Sequence, residues 1–137
     1  MKVSEVMSTR IISVVPGDTA AKAASLMSEH NIGAVPVQQE NTIKGILTDR
    51  DIVIRCIAQN KDPKNVKVSD IMSQNTCTVC SHDDLHAVID KMSSEQIRRV
   101  PVVDNGRLTG MVSLADLARS KTDTEISSAL SEISMPS

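Results

Sequence analysis

Val3-Ser4-Glu5-Val6-Met7-Ser8 returns sixty-five residues later as Val68-Ser69-Asp70-Ile71-Met72-Ser73. Without a gap, residues 3–52 align on 68–117 at that offset. Asp18 falls on Asp83, Met27-Ser28 on Met92-Ser93, and Val35-Pro36-Val37 on Val100-Pro101-Val102. Gly45 falls on Gly110 and Asp51 on Asp116. A constant offset over so many positions marks an internal duplication, and a repeat of this length sets the fold before any single residue does.

Each copy reads in the same order. A short apolar run (Ile11–Val15, Cys77–Cys80) has the composition of a strand. Asp18 and Asp83 then stand as candidate helix N-caps. A helix over about Thr19–His30 places Ala20, Ala23, Ala24 and Met27 on one face, and Leu85, Val88, Ile89 and Met92 repeat that spacing. Val35-Pro36-Val37 and Val100-Pro101-Val102 form a second strand, whose proline suits an edge or a strand start. A polar turn follows, and Asp104-Asn105-Gly106-Arg107 is a hairpin signal. Ile43–Leu47 and Leu108–Val112 supply a third strand, and Thr48 or Ser113 opens a closing helix, in the first copy about Asp49–Gln59.

The expected fold class is therefore α/β of the α+β type, two tandem β-α-β-β-α repeats packed as a pseudo-two-fold pair. Its expected divisions are 1–59, a linker at 60–66, 67–119, and a polar tail at 120–137. In the tail, Ile126, Leu130 and Ile133 suit either a short amphipathic helix after Asp123 or a frayed end. A lone unit of about 60 residues buries too little surface to be robust, so two packed face to face are expected.

Composition removes several classes of function. The 137 residues include no Phe, Tyr or Trp, so no aromatic platform exists for stacking nucleic-acid bases. With a formal charge of −2 and no basic run, no electrostatic footprint for DNA or RNA is present. No segment approaches the ~18 apolar residues of a membrane span. The chain start lacks an apolar leader core, and three cysteines are an odd count for a disulfide framework. A cytoplasmic location is expected.

The sharpest chemistry is Gly45-Ile46-Leu47-Thr48-Asp49-Arg50-Asp51, mirrored by Gly110-Met111-Val112-Ser113-Leu114-Ala115-Asp116. A glycine inside a strand permits close approach of another backbone or a ligand. A hydroxyl and a carboxylate three residues apart lie on one helix face, ready for vicinal hydroxyls such as those of a ribose. The same pair is also an ordinary capping box. Cys77-x-x-Cys80-x-His82-x-x-x-His86 has metal-ligand residue types, but the first copy has Ile12, Val15, Gly17 and Ala21 there. Buried inert cysteines are therefore expected at 77 and 80, and a metal or thiol switch is the remote alternative; Cys56 reads as core. No nucleophile pairs with a base and the three histidines share no motif, so no catalytic residue and no metal site are expected.

These motifs, in this order and twice over, resemble a pair of CBS domains, a Bateman module, across residues 1–119. The resemblance is nearest to stand-alone bacterial CBS-pair proteins. It implies an adenosine nucleotide held in the cleft between the copies as a regulatory ligand, with no required cofactor. Thr48 with Asp51, and Ser113 with Asp116, would hold ribose hydroxyls. The base would lie near Ile11, Ile12, Val35 and Pro36, and in the other half near Cys77, Val100 and Pro101. A basic residue before the Val-Pro strand serves phosphate in this family. Here Arg98 and Arg99 stand in the second copy, but Gly33 and Ala34 in the first, where Arg50 is a candidate substitute along with Lys22, His30 or Arg119. Unequal sites are expected, the second being the better for a charged nucleotide. The resemblance also implies a homodimer and a separate downstream effector protein. The alternative is a dimerisation scaffold with a vestigial pocket.

Overall fold

The computed structural model describes residues 1–74 and 77–120. In chain order it holds a 3₁₀ turn Val3–Glu5, α1 (Ala20–His30), β1 (Ala34–Gln39), β2 (Thr42–Thr48), and α2 (Asp49–Ile52), which runs into a π-helical stretch Val53–Ile57. The second repeat supplies α3 (Val68–Ile71), α4 (Leu85–Glu95), β3 (Arg99–Asp104), β4 (Arg107–Ser113) and α5 (Leu114–Ser120). The expected tail helix at Ile126, Leu130 and Ile133 lies outside the described residues.

Two antiparallel hairpins form the sheets, β1 with β2 and β3 with β4. Ala34 pairs with Thr48 and Arg99 with Ser113, and each hairpin carries a bulge at the matching place, Val37/Gln38 and Val102/Val103. Both turns are two residues long with positive φ, Glu40-Asn41 and Asn105-Gly106. That geometry matches the right-handed twist of the strands.

The apolar runs expected as first strands are reduced to one bridge each, Val14 to Val37 and Val79 to Val102, both parallel. Proline is the physical reason. Val14 N–H donates to the Pro36 carbonyl and Val14 C=O accepts from Gln38. The next rung towards Ile12 would need an N–H from Pro36, which has none. Pro101 stops the second copy in the same way.

A second correction concerns the caps. Thr19 and Asp84, not Asp18 and Asp83, cap the long helices, accepting from Lys22 N–H and His86 N–H. The Asp18 and Asp83 carboxylates are turned back, accepting from Val15 N–H and Cys80 N–H at 2.9 Å each. They close the turn that delivers the chain to the helix.

The compact bodies do not coincide with the repeats. Among the described residues, one is made of residues 1–11 with 77–120, the other of residues 12–74. Each repeat's opening segment thus completes the other repeat's body. In the first body, Val3 N–H donates to Asp83 C=O and Ser8 exchanges two backbone hydrogen bonds with Met111. In the second body, Val68 N–H donates to Asp18 C=O and Ser73 exchanges two with Ile46. Each sheet thereby gains a further rung along β4 or β2.

Each body has its own core. One gathers Val3, Val79, Leu85, Val88, Met92, Val100, Val112 and Leu117. The other gathers Val14, Ala20, Ala23, Met27, Leu47, Cys56, Val66, Val68 and Ile71. The helix periodicity expected from sequence is what fills them. Residues 60–66 are tied down at two points: the Val66 and Pro63 carbonyls accept from Ala20 and Ala21 at the start of α1.

Candidate functional site

The glycines at 45 and 110 face the exchanged segments. A Cβ on Gly45 would lie 2.5 Å from the Ser73 carbonyl oxygen and 2.9 Å from Met72 Sδ. One on Gly110 would lie 2.7 Å from Met7 Sδ and 3.0 Å from the Ser8 carbonyl oxygen. Close approach is thus the reason for glycine, and the approaching group is the Met-Ser backbone.

Three residues further on, the strands deliver Thr48 and Ser113 to the helix starts. Thr48 Oγ1 accepts from Asp51 N–H at 3.0 Å, while Asp51 Oδ2 accepts from Thr48 N–H at 3.0 Å. Ser113 and Asp116 repeat this at 3.1 and 2.8 Å. Both pairs are complete capping boxes. Capping does not exhaust them. Each box uses one hydroxyl lone pair and one carboxylate oxygen, leaving an O–H donor and a second carboxylate oxygen. That remaining oxygen faces an arginine in both copies. Asp51 Oδ1 lies 3.8 Å from Arg55 Nε, and Asp116 Oδ1 is hydrogen-bonded by Arg119 Nη2. The two carboxylates are 13% and 10% exposed, so each is reachable only along a narrow edge. Sequence reading missed Arg55; its signal was the i,i+4 spacing to Asp51, and it also donates to the Ile71 and Met72 carbonyls.

The expected wall residues differ in burial. Val35, Pro36, Val100 and Pro101 are buried, whereas Ile11, Ile12 and Cys77 are half-buried. Ile12 stands two residues before Val14, which bonds Pro36; Cys77 stands two before Val79, which bonds Pro101. Ile11 ends one body and Ile12 begins the other. The expected cations are accessible: Arg98 and Arg50 are exposed and Arg99 is half-buried. Arg98 sits beside the hydroxyl–carboxylate pair, because its carbonyl accepts from Leu114 N–H at 2.8 Å. Gly33 holds that position in the first copy, its carbonyl accepting from Asp49 N–H at 2.9 Å.

A family model, CBS domain, matches residues 3–57 and again 68–123. The chain belongs to the CBS domain family. This CBS pair is 41% identical over 133 residues to the CBS domain-containing protein YhcV of Bacillus subtilis, covering 96% of this chain and 94% of that protein. It is similar in structure to Hypoxic Response Protein I solved with two coordinated zinc ions, at TM-score 0.82 and 32% identity over 89% of this chain and all of that one. It is also similar to the CBS domain pair of protein MJ0100, solved with 5′-methylthioadenosine and S-adenosyl-L-methionine, at TM-score 0.77 and 31% identity over 88% of this chain and 94% of that one.

The cysteine–histidine spacing does not assemble in this CBS pair. Among the described residues no three His, Cys, Asp or Glu side chains gather to hold a metal ion. Cys80 is exposed and Cys77 half-buried, which corrects the expectation that both are buried. Cys80 follows the inward-facing Val79 and therefore points out, as Val15 does at 40% exposure. Cys56 is fully buried, as expected. His86 is engaged elsewhere: its Nδ1 lies 2.7 Å from Asp84 Oδ1. The His86 backbone amide, and then its side chain, hold the Asp84 carboxyl below the ordinary carboxylate range. No helix of the described residues is long and apolar enough to cross a membrane.

Proposed function

We propose that this CBS pair is a non-catalytic regulatory module that binds adenosine ligands at the Thr48–Asp51 and Ser113–Asp116 edges and reports occupancy by a conformational shift. One observation carries the reading. Two equivalent capping boxes each keep a hydroxyl donor and a carboxylate acceptor beyond the needs of the helix, beside buried Val-Pro backbone. Vicinal ribose hydroxyls complement such a pair, and the aliphatic surroundings suit a base. The adenosine compounds bound by the MJ0100 pair support the same ligand class. Arg98 and Arg99 make the second site the better one for a phosphorylated ligand, through guanidinium–phosphate bonding. Arg50 is the first copy's candidate cation. The protein acts as a cytoplasmic homodimer on a separate effector protein, and its three free cysteines suit a reducing compartment.

A ligand that binds only the folded state raises the melting temperature. Circular dichroism melts with 1 mM adenosine, AMP or ATP, at ligand concentrations on the order of a hundred times Kd, should show a rise of several degrees. Titration calorimetry of Asp51→Ala and Asp116→Ala, each checked for folding, locates the sites. Unchanged melting with every compound overturns the ligand reading, and equal losses of AMP affinity in both variants overturn the asymmetry.

A second reading has its own support. Val53, Ile54 and Ile57 are 57, 42 and 51% exposed on the π-helical stretch, an apolar surface suited to self-association. A dimer that no adenosine compound stabilises would mark a scaffold with a vestigial pocket.

A further inference from the structure

We infer that the two sites differ in the ligand charge they accept, with Asp49 as the residue that turns phosphate away from the first. This rests on the ligand reading above and adds the class of compound each site accepts.

The backbone at the two corners is the same. Asp49 N–H bonds the Gly33 carbonyl at 2.9 Å, and Leu114 N–H bonds the Arg98 carbonyl at 2.8 Å. Only the side chains differ. In the second copy the corner holds a guanidinium at 98 and an apolar side chain at 114. In the first it holds no side chain at 33 and a carboxylate at 49. The carboxylate occupies the space a side chain at 33 would need: a Gly33 Cβ would lie 3.1 Å from Asp49 Oδ2. Glycine at 33 and aspartate at 49 are therefore one linked exchange, and it reverses the sign of the corner. Asp49 Oδ1 accepts from Arg50 N–H at 2.8 Å, which fixes the carboxylate against the helix start. Among the described residues no ion pair joins the Arg50 side chain to it.

Asp49 directly follows Thr48, so a ribose held by Thr48 and Asp51 brings its 5′ substituent well within a Debye length, ~8 Å, of the Asp49 carboxylate. A 5′-phosphate there meets repulsion, and a neutral thioether or a cationic sulfonium does not. At the second corner, Arg98 reverses the preference. The first site takes an adenosine with an uncharged or cationic 5′ group; the second takes a 5′-phosphate. The magnitude expected from a single exposed charge at such a distance runs from roughly twofold to roughly thirtyfold in affinity, between the dielectric of bulk water and that near a protein surface.

Titration calorimetry of the full chain with AMP and with 5′-methylthioadenosine tests this, using Asp116→Ala to read the first site and Asp51→Ala to read the second. In the Asp116→Ala background, Asp49→Asn should tighten AMP about tenfold and leave 5′-methylthioadenosine within about twofold. In the Asp51→Ala background, Arg98→Ala should weaken AMP by a similar factor and again spare the thioether. If both compounds bind and Asp49→Asn leaves their ratio unchanged, charge selection is overturned while the ligand reading stands. If neither compound binds the wild-type chain, the ligand reading itself falls and this inference with it.

Discussion

The two bodies share a backbone plan, and their differences come as matched sets. Ser81 has an amide and Asp104 a carboxylate to receive it, at 2.9 Å. The corresponding residues of the first repeat are Pro16, with no amide, and Gln39. Thr109 adds a 2.8 Å bond to Asp104, where the first repeat has Lys44. The cores differ likewise. α4 buries Leu85, Val88, Ile89 and Met92, whereas α1 buries Ala20, Ala23 and Met27. The body that contains α1 fills its space instead with Cys56, Val66 and the exchanged Val68 and Ile71. Duplicated positions thus drifted in groups, each group keeping its donors satisfied and its volume filled.

Removing residues 1–11 is the most severe way to test the comparison. It takes Val3 and the Ser8–Met111 rung from one body and leaves the other intact. Hydrogen exchange should show amides of residues 77–120 losing protection while those of residues 12–74 keep theirs; equal loss in both would show the bodies do not open separately.

The glycines provide a narrower contrast. At Gly45 the nearest obstacle is a carbonyl oxygen held in the Ser73 rung; at Gly110 it is the tip of a flexible methionine. Gly45→Ala should cost about 3 kcal/mol and Gly110→Ala about 1 kcal/mol in urea unfolding, within the range of overpacking effects. Equal costs would mean that the Ser73 segment yields as easily as Met7.

A smaller effect follows pH. The Ser81 amide first, then the Thr109 and Ser81 side chains, hold the Asp104 carboxyl below its ordinary value. The sign follows from linkage: a depressed folded value stabilises above the unfolded value of about 3.9, and that stabilisation is lost as pH falls through the folded one. Asp104→Asn should therefore lower the melting temperature at pH 7 and differ little from wild type near pH 2. A constant difference across that range would assign the effect to packing.

The smallest contrast is at the helix ends. Asn31 and Gln96 both adopt left-handed backbone, φ 52° and 53°. Asparagine tolerates that region better than glutamine. Gln96→Asn should stabilise by a few tenths of a kcal/mol, up to about 1, less whatever the Gln96 bond to the Ser93 carbonyl contributes.

Much of this was legible in the sequence. The repeat offset gave the element order, periodicity gave the buried helix faces, and Asn105-Gly106 gave a hairpin. The Thr/Ser–Asp spacing gave both the capping boxes and the candidate site. What escaped reading depended on partners distant in the chain. The stunted first strands follow from Pro36 and Pro101 on the neighbouring strand, not from the composition of Ile11–Val15. The cap moved by one residue because Asp18 and Asp83 had a competing amide in the preceding turn. Asp49 is in sequence one more acid at a helix start, and only the fold lays its carboxylate over Gly33.

The exchange of opening segments also bears on ancestry. A single ancestral repeat with this geometry had no second copy in its own chain to fill the edge beside its glycine. Two such molecules would each have lent the other a Val-Ser-x-x-Met-Ser segment, a reciprocal domain swap. Joining two copies in one chain makes that exchange intramolecular. The glycines at 45 and 110 preserve its geometry, since each still leaves room for a strand that arrives from the other copy.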